Sequence, residues 1–174
     1  MKNLISILAI VLFPALLLAQ QTPLSALYSK YASEPGFETT EIMPGSTSYE
    51  WEKNIGAENI KEMMNQLDGI KVLMYETEYA SSEELAKFKG EVSKIQTQGY
   101  TELMVVKQTD EEVKFLTMKK GDKIGELLLI INGEKEAGFI TITGNIDMKT
   151  IGQLSKTMNF EGMDKLNELN KEEK

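Results

Sequence analysis

The spacing of hydrophobic residues changes along the chain, and this change predicts where helices give way to strands. In the first half, apolar residues recur three and four positions apart in three segments, each followed by a short apolar run. The helical spacing predicts helices over 22–33, 58–67 and 81–99 and, near the end, over 147–158 and 160–169. The short apolar runs predict strands over 37–43, 70–75, 101–107, 112–118, 124–131 and 137–143.

Local signals mark the ends of these elements. Thr22 followed by Pro23 is typical of a helix start, with the threonine as N-cap and the proline as first helical residue. Ser81 followed by acidic residues also favours a helix start. Asn132-Gly133, between two apolar runs, predicts a tight hairpin turn because both residues tolerate positive φ. Asp68-Gly69 predicts a helix end. The segment 144–147 predicts a turn that ends in an N-cap aspartate.

The predicted order of elements is α-β-α-β-α-β-β-β-β-α. Four successive strands joined by short turns predict an antiparallel meander, because parallel strands need a longer crossover. We therefore predict a single two-layer α+β domain over residues 20–170, with a mostly antiparallel sheet and helices mainly on one face. The charged tail 171–174 is expected to fray.

The hairpin 124–143 is apolar on both of its predicted faces. One face is a typical core and carries Leu127, Leu129, Ile131, Ile140 and Ile142. The opposite face is more apolar than a solvated face should be, and it carries Ile124, Leu128, Ile130, Ala137 and Phe139. Either another segment covers this second set, for which 46–57 with Trp51 and the C-terminal helix are candidates, or it is a surface for a partner or ligand.

Residues 1–19 have the composition of a secretory signal peptide. A short positive start with Lys2 precedes an apolar run over 4–18, and Ala19 supplies a small residue at the cleavage position, although cleavage after Gln20 is also compatible. The apolar run is shorter than the roughly 20 residues of a membrane-spanning helix and contains Pro14. We therefore expect export to the periplasm or the medium, with no membrane span after processing.

Composition removes the usual ligands of several kinds of site. The chain has no Cys, no His and no Arg, so disulfides, thiolate nucleophiles, Cys-ligated metals and a lipid-modified N-terminal cysteine are excluded. Loss of residues 1–19 leaves 18 lysines against 27 acidic residues, a net charge of −9. Because phosphate backbones are bound through cations, nucleic acid is not an expected partner. No cofactor is expected either.

A carboxylate pair is the main candidate for chemistry. Glu76 and Glu78 follow a predicted strand at alternate positions, so they share a face if the strand extends that far. Together with Lys71 they could form an acid/base site, and oxygen ligands could also hold Ca²⁺. Solvated charges at the rim of the sheet are the alternative interpretation.

Three segments in order resemble a known family. They are the Lys30-Tyr31…Phe37 opening, the run Leu-Asp-Gly-Ile-Lys-Val-Leu at 67–73, and the strand and turn over 140–147. Together they resemble the domain-of-unknown-function family 4252, exported proteins typical of Bacteroidota, over about 24–158. The resemblance implies no activity and no catalytic residues. Genes of this family often lie near sigma-factor and anti-sigma-factor genes. The resemblance therefore implies a regulatory role in the cell envelope.

Three functions remain open from the sequence. The preferred one is a non-enzymatic binding or regulatory module of the envelope, with an envelope protein as a possible partner. A hydrolase or lyase that uses carboxylates and lysine is the second. A carrier that holds a small apolar ligand between sheet and helices is the third.

Overall fold

A computed structural model of the chain describes residues 22–44, 57–76, 81–95 and 97–157. Its helices are α1 Pro23–Tyr31, α2 Ala57–Met64, α3 Ser82–Val92 and α4 Met148–Thr157. Its strands are β1 Phe37–Ile42, β2 Leu67–Glu76, β3 Thr101–Lys107, β4 Glu111–Lys120, β5 Lys123–Gly133 and β6 Glu136–Ile146. The α+β fold class and the predicted order of these ten elements are confirmed.

Three helices begin where the capping residues predict. The Thr22 hydroxyl accepts a hydrogen bond from the Ser25 amide at 3.2 Å, and the Ser81 hydroxyl accepts one from the Glu84 amide, also at 3.2 Å. At α4, the Asp147 carboxylate accepts a hydrogen bond from the Thr150 amide at 2.8 Å. Each cap satisfies an amide that the first helical turn leaves without a partner, so local sequence is enough to place these helix starts.

The six strands form one antiparallel sheet in the order β1-β2-β6-β5-β4-β3. The meander β3–β6 is contiguous, as predicted. Strand β2 pairs with β6 rather than with β3, so the connection through α3 crosses the sheet to its far edge. Strands β1 and β3 are consequently the two edges.

Helices cover both faces of the sheet, so the described fold has three layers, which corrects the prediction of two layers with helices mainly on one face. On the first face, α2 and α4 cover a core that includes Ile70, Leu127, Leu129, Ile140 and Ile142. On the second face, α1 and α3 cover a separate core that includes Leu73, Tyr75, Leu128, Ala137 and Phe139. Central strands that alternate between two cores are apolar at nearly every position, which explains why the hairpin 124–143 is apolar on both sides.

One predicted turn is instead part of a strand. Gly133 pairs with Glu111 of β4 and has no positive φ, so β5 runs through the Asn-Gly pair and the β5–β6 turn falls at Glu134 and Lys135. The Glu134 amide donates to the Asp110 carbonyl at 2.7 Å, which ties that turn to the neighbouring one. Pairing with β4, which local spacing does not reveal, extends β5 beyond the hairpin signal.

Two other glycines likewise lie within strands rather than in turns. Gly69 belongs to a bulge of β2. Gly144 belongs to β6, where a Cβ atom would collide with the carbonyl oxygen of Gln66, and the adjacent Asn145 amide donates to that oxygen at 2.7 Å. Close approach of two backbones, and not a turn, therefore accounts for glycine at position 144.

Several predictions lie outside the described residues. They concern the signal peptide 1–19, the segment 46–56 with Trp51, Glu78, the helix 160–169 and the tail 171–174. None of the described helices combines the length and the apolar character needed to cross a membrane.

Candidate functional site

A cleft of about 530 Å³ opens on the second face, between α1, α3 and the start of β1. Its sides carry charged residues of both signs from the two helices. The lining consists of Lys30, Tyr31, Glu34, Pro35, Gly36, Phe37, Glu84 and Lys87. Residues from three separate elements meet here. The tight turn between α1 and β1, where Gly36 has a φ of 83°, helps to shape the cleft.

Two rings that line the cleft, Tyr31 and Phe37, belong to a cluster of four aromatic rings. Tyr31 stacks on Phe37 with ring centroids 4.5 Å apart, and Phe88 packs edge-on against both rings, at 5.0 Å from Tyr31 and 4.8 Å from Phe37. Tyr75 of β2 lies 4.8 Å from Phe37. Offset and edge-on contacts at these distances stabilise aromatic clusters beyond the effect of buried area.

Glu91 of α3 joins the two helices at the cleft. One of its carboxylate oxygens accepts hydrogen bonds from the Lys30 ammonium at 2.7 Å and from the Tyr31 hydroxyl at 2.8 Å. The hydrogen bond from Lys30 is the main reason that the pKa of Glu91 lies below its ordinary value, and the bond from Tyr31 adds to this against the opposing effect of partial burial. Glu91 is therefore a firmly ionised carboxylate at neutral pH.

A second carboxylate has a similar arrangement on the other side of the ring cluster. Glu84 accepts hydrogen bonds from the Tyr75 hydroxyl at 2.9 Å and from the Ser81 hydroxyl at 3.2 Å. Burial raises the pKa of the Tyr75 phenol, and the bond to Glu84 raises it further. Both tyrosine hydroxyls of the cluster are thus protonated donors that hold a carboxylate from α3.

Glu126 is a third carboxylate on the second face, away from the cleft. It lies two positions before Leu128 on β5, and a hydrogen bond joins it to the phenol of Tyr100. Burial raises the pKa of Glu126, and the bond from Tyr100 opposes this only in part. Burial also raises the pKa of Tyr100 above its ordinary value. This pair combines a half-buried acid with a phenolic donor.

The candidate interaction face from the sequence lies largely within the protein. Leu128, Ala137 and Phe139 are at most 1% exposed, and Ile130 packs against the same second core. Cover for this face comes from α1 and α3. Of the two segments that the sequence offered as cover, α4 packs on the first core, and residues 46–56 lie outside the described part of the chain. Ile124 packs against the first core instead, because a bulge between residues 124 and 126 reverses the direction of the side chain.

Two members of the proposed acid/base set, Lys71 and Glu76, lie on opposite faces of the sheet, and the third, Glu78, lies outside the described residues. On β2, Lys71 lies on the second face with Leu73, and Glu76 lies on the first face with Val72. The Lys71 ammonium pairs with Glu41 at 3.0 Å and lies 5.0 Å from the ring centre of Tyr28. Within the described residues, no three acidic side chains come close enough together to hold a metal ion.

Comparison with known families assigns the chain to one of them. A family model described as "Domain of unknown function (DUF4252)" matches residues 31–154, which include all six described strands, α2, α3 and most of α4. The chain belongs to this family. Neither a search among curated proteins nor a search among solved structures gave a match. The family resemblance seen in the sequence is therefore confirmed, and DUF4252 membership carries no assigned activity.

The cleft was not anticipated from the sequence. Lys30 and Glu91 are 61 positions apart, and each is an ordinary charged residue in its own helix pattern. The local signals were single aromatic residues at inward positions of the two helices, Tyr31 of α1 and Phe88 of α3, whose rings meet in the folded chain.

Proposed function

We propose that this DUF4252 protein is exported to the cell envelope and acts there as a non-enzymatic binding or regulatory module, with the cleft between α1 and α3 as its binding site. The observation that carries the proposal is a cleft that combines the stacked rings of Tyr31 and Phe37 with lysines and carboxylates in its lining. Binding sites are typically concave and mostly preformed, with a few polar groups at fixed positions.

The electrostatics of the cleft favour recognition over proton transfer. A general acid or base works best when its pKa lies near the pH of the reaction. The pKa of Glu91 is shifted down and the pKa values of Tyr31 and Tyr75 are shifted up, all away from neutrality. These groups hold fixed charges and dipoles, which suits the orientation of a bound partner.

The composition of the cleft supports a partner that carries both apolar and charged groups. Lys87 and Lys30 provide positive charge on opposite walls, and Glu34 and Glu84 provide negative charge, so the lining is balanced. Tyr31 and Phe37 offer an apolar surface between them. A peptide segment with an apolar side chain flanked by charges matches this arrangement, which agrees with an envelope protein as partner.

Export rests on residues 1–19. Their charged start, apolar run and small residue at the cleavage position are the features of a secretory signal, and the domain that follows contains no cysteine that would be oxidised outside the cytoplasm. Fractionation of cells and N-terminal sequencing of the isolated protein test this part. We expect a mature chain that begins at Gln20 or Gln21 in an extracytoplasmic fraction.

Site-specific photo-crosslinking tests the cleft. A photoreactive residue at position 87 lies at the rim, and the same residue at position 61 of α2 is a matched control, because Lys61 is also exposed but lies on the helix layer of the first face. We expect a discrete adduct in the envelope fraction from position 87 and none from position 61. Equal adducts from both positions, or a protein that remains cytoplasmic, would contradict the proposal.

An activity assay separates the enzymatic alternative. If the purified protein turned over substrates of a hydrolase panel, and if Glu84→Gln abolished that turnover while Glu83→Gln did not, the cleft would be an active site. Glu83 is the matched control because it is the adjacent exposed acid of α3 and does not line the cleft. We expect no turnover that depends on Glu84.

A further inference from the structure

We propose that two copies of this chain associate through the free edge of β3, pairing their β3 strands antiparallel to form one continuous twelve-stranded sheet. Strand β3 is the last strand of the sheet, and no described element pairs with its outer side. It extends over seven residues without proline or glycine, Thr101–Lys107. Such an edge is a ready template for another strand.

The backbone amide and carbonyl groups of β3 that point away from β4 lie around Val105. The Gln108 amide donates to the Glu111 carbonyl at 2.8 Å, so positions 108 and 106 of the ladder bond toward β4. Hydrogen-bonding direction alternates along an antiparallel strand, and the amide and carbonyl groups of Val105 and Lys107 therefore point away from the sheet. A two-fold axis through Val105 lets the two copies of this residue exchange both hydrogen bonds.

The side chains of β3 favour this symmetric arrangement. Leu103, Met104 and Val105 are each partly exposed, so the strand presents apolar surface at the edge. Antiparallel pairing centred on Val105 brings Lys107 of each copy beside the bulge of the other copy, next to Glu102. Two opposite-charge neighbours then form, one at each end of the junction.

The other edge lacks this complementarity. The charged residues of β1 are Glu38 and Glu41, both acidic, so pairing of two β1 strands would bring like charges together. Pairing of β1 with β3 of another copy would be head-to-tail and would give open chains rather than a closed pair. A closed two-fold dimer through β3 is the arrangement that the charges favour.

Single-cysteine cross-linking tests the proposal in the full mature protein. Because the chain has no cysteine, Val105→Cys introduces the only thiol, and the two-fold axis places it opposite its copy. Thr40→Cys on β1 is the matched control at the other edge. Under a mild oxidant we expect a disulfide-linked dimer from Val105→Cys and at least about tenfold less from Thr40→Cys, since a disulfide needs Cα atoms within about 7 Å.

Charge exchange gives an independent test. An interface built mainly from two edge strands is smaller than the roughly 1,200 Å² of stable complexes, so we expect a weak dimer at about 10 µM or above in sedimentation velocity. Glu102→Lys should weaken dimerisation about tenfold by placing lysines together, and the double variant Glu102→Lys, Lys107→Glu should restore it. Each variant is checked for unchanged circular dichroism.

Three outcomes would overturn the inference. The first is a wild-type protein that remains monomeric over the whole concentration range. The second is a disulfide yield that is equal for the two cysteine variants. The third is a dimer that persists unchanged when Glu102→Lys is introduced, because the association would then use another surface.

Discussion

The two faces of the sheet solve the same packing problem with different residues. On the first face, α2 and α4 cover a core that is almost wholly aliphatic and methionine, with Phe115 as its one fully buried ring. On the second face, α1 and α3 cover a core that contains Tyr31, Tyr75, Phe88 and Phe139. The first face contributes packing alone, whereas the tyrosines of the second face also bring hydroxyl groups that need partners.

This difference explains where polar chemistry gathers. The hydroxyls of Tyr31 and Tyr75 reach the rim of the second core and hold Glu91 and Glu84 of α3 in place. On the first face, the ion pair between Lys149 and Glu62 joins α4 to α2 at 2.7 Å with both side chains about half exposed. An exposed pair of that kind contributes little to the free energy of unfolding. Aromatic packing thus makes the second face the better candidate for function.

The largest expected effect tests whether both faces are true cores. Phe139 and Ile140 are neighbours on β6 that point to opposite faces and are both buried. Phe139→Ala should cost about 3–5 kcal/mol and Ile140→Ala about 2–5 kcal/mol of unfolding free energy, because each leaves a cavity. Urea unfolding measures both, with exposed Lys119→Ala as control. A loss below about 1 kcal/mol for Phe139→Ala would mean that the second face is open in solution.

A smaller effect concerns the hydroxyl and carboxylate network. Tyr31→Phe should cost about 1 kcal/mol at neutral pH, because it removes one hydrogen bond to an ionised group. Glu91→Gln should also destabilise the protein at neutral pH. The pKa of Glu91 is lowered in the folded state, so its contribution is present above the unfolded pKa and is lost as the pH falls through the folded pKa.

The measurement for this network is denaturant unfolding at neutral and at acidic pH. The difference between wild type and Glu91→Gln should shrink as the solution is acidified. Glu62→Gln on the first face is the matched control, and we expect it to change stability by less than about 0.5 kcal/mol. If the two variants behaved alike, the network on the second face would be no more organised than a surface ion pair.

Replacement of Glu126 should change stability in the opposite direction to replacement of Glu91. Burial raises its pKa in the folded state, so its contribution is present below the unfolded pKa and is lost as the pH rises through the folded pKa. At neutral pH, Glu126→Gln should therefore stabilise the protein by less than the losses above, and the gain should disappear in acid. Denaturant midpoints across the acidic range measure it. A loss of stability at neutral pH would show that the ionised carboxylate has compensating partners.

The smallest effect tests whether the two faces unfold together. Gly90 lies in α3 with open space where the Cβ of an alanine would lie, so Gly90→Ala should stabilise the helix by about 0.5–1 kcal/mol. Ala86→Gly, at an exposed position of the same helix, should lose a similar amount. If the fold is cooperative, both changes appear in the global unfolding free energy. If they appear only in hydrogen exchange of α3, the second layer opens separately.

Local sequence was sufficient for much of the fold. The spacing of apolar residues located all ten elements, and the strand 101–107 has the predicted bounds. Capping at Thr22, Ser81 and Asp147 depends on residues within three positions of each other, so it could be predicted without knowledge of the fold. The Asn-Gly signal at 132–133 failed because β4 continues to pair with Gly133, a contact that depends on a different part of the chain.

The sequence by itself determined which segments are helices and strands, which residues are apolar on both sides, and which classes of ligand the composition leaves without side chains. Only the tertiary structure decided that β2 pairs with β6, that α1 and α3 cover the second apolar face of the hairpin 124–143, and that Glu91 meets Lys30. The physical reason is the distance along the chain over which each kind of interaction acts. Periodicity and capping act over a few residues, whereas strand order and helix placement depend on burial shared among segments that are far apart along the chain.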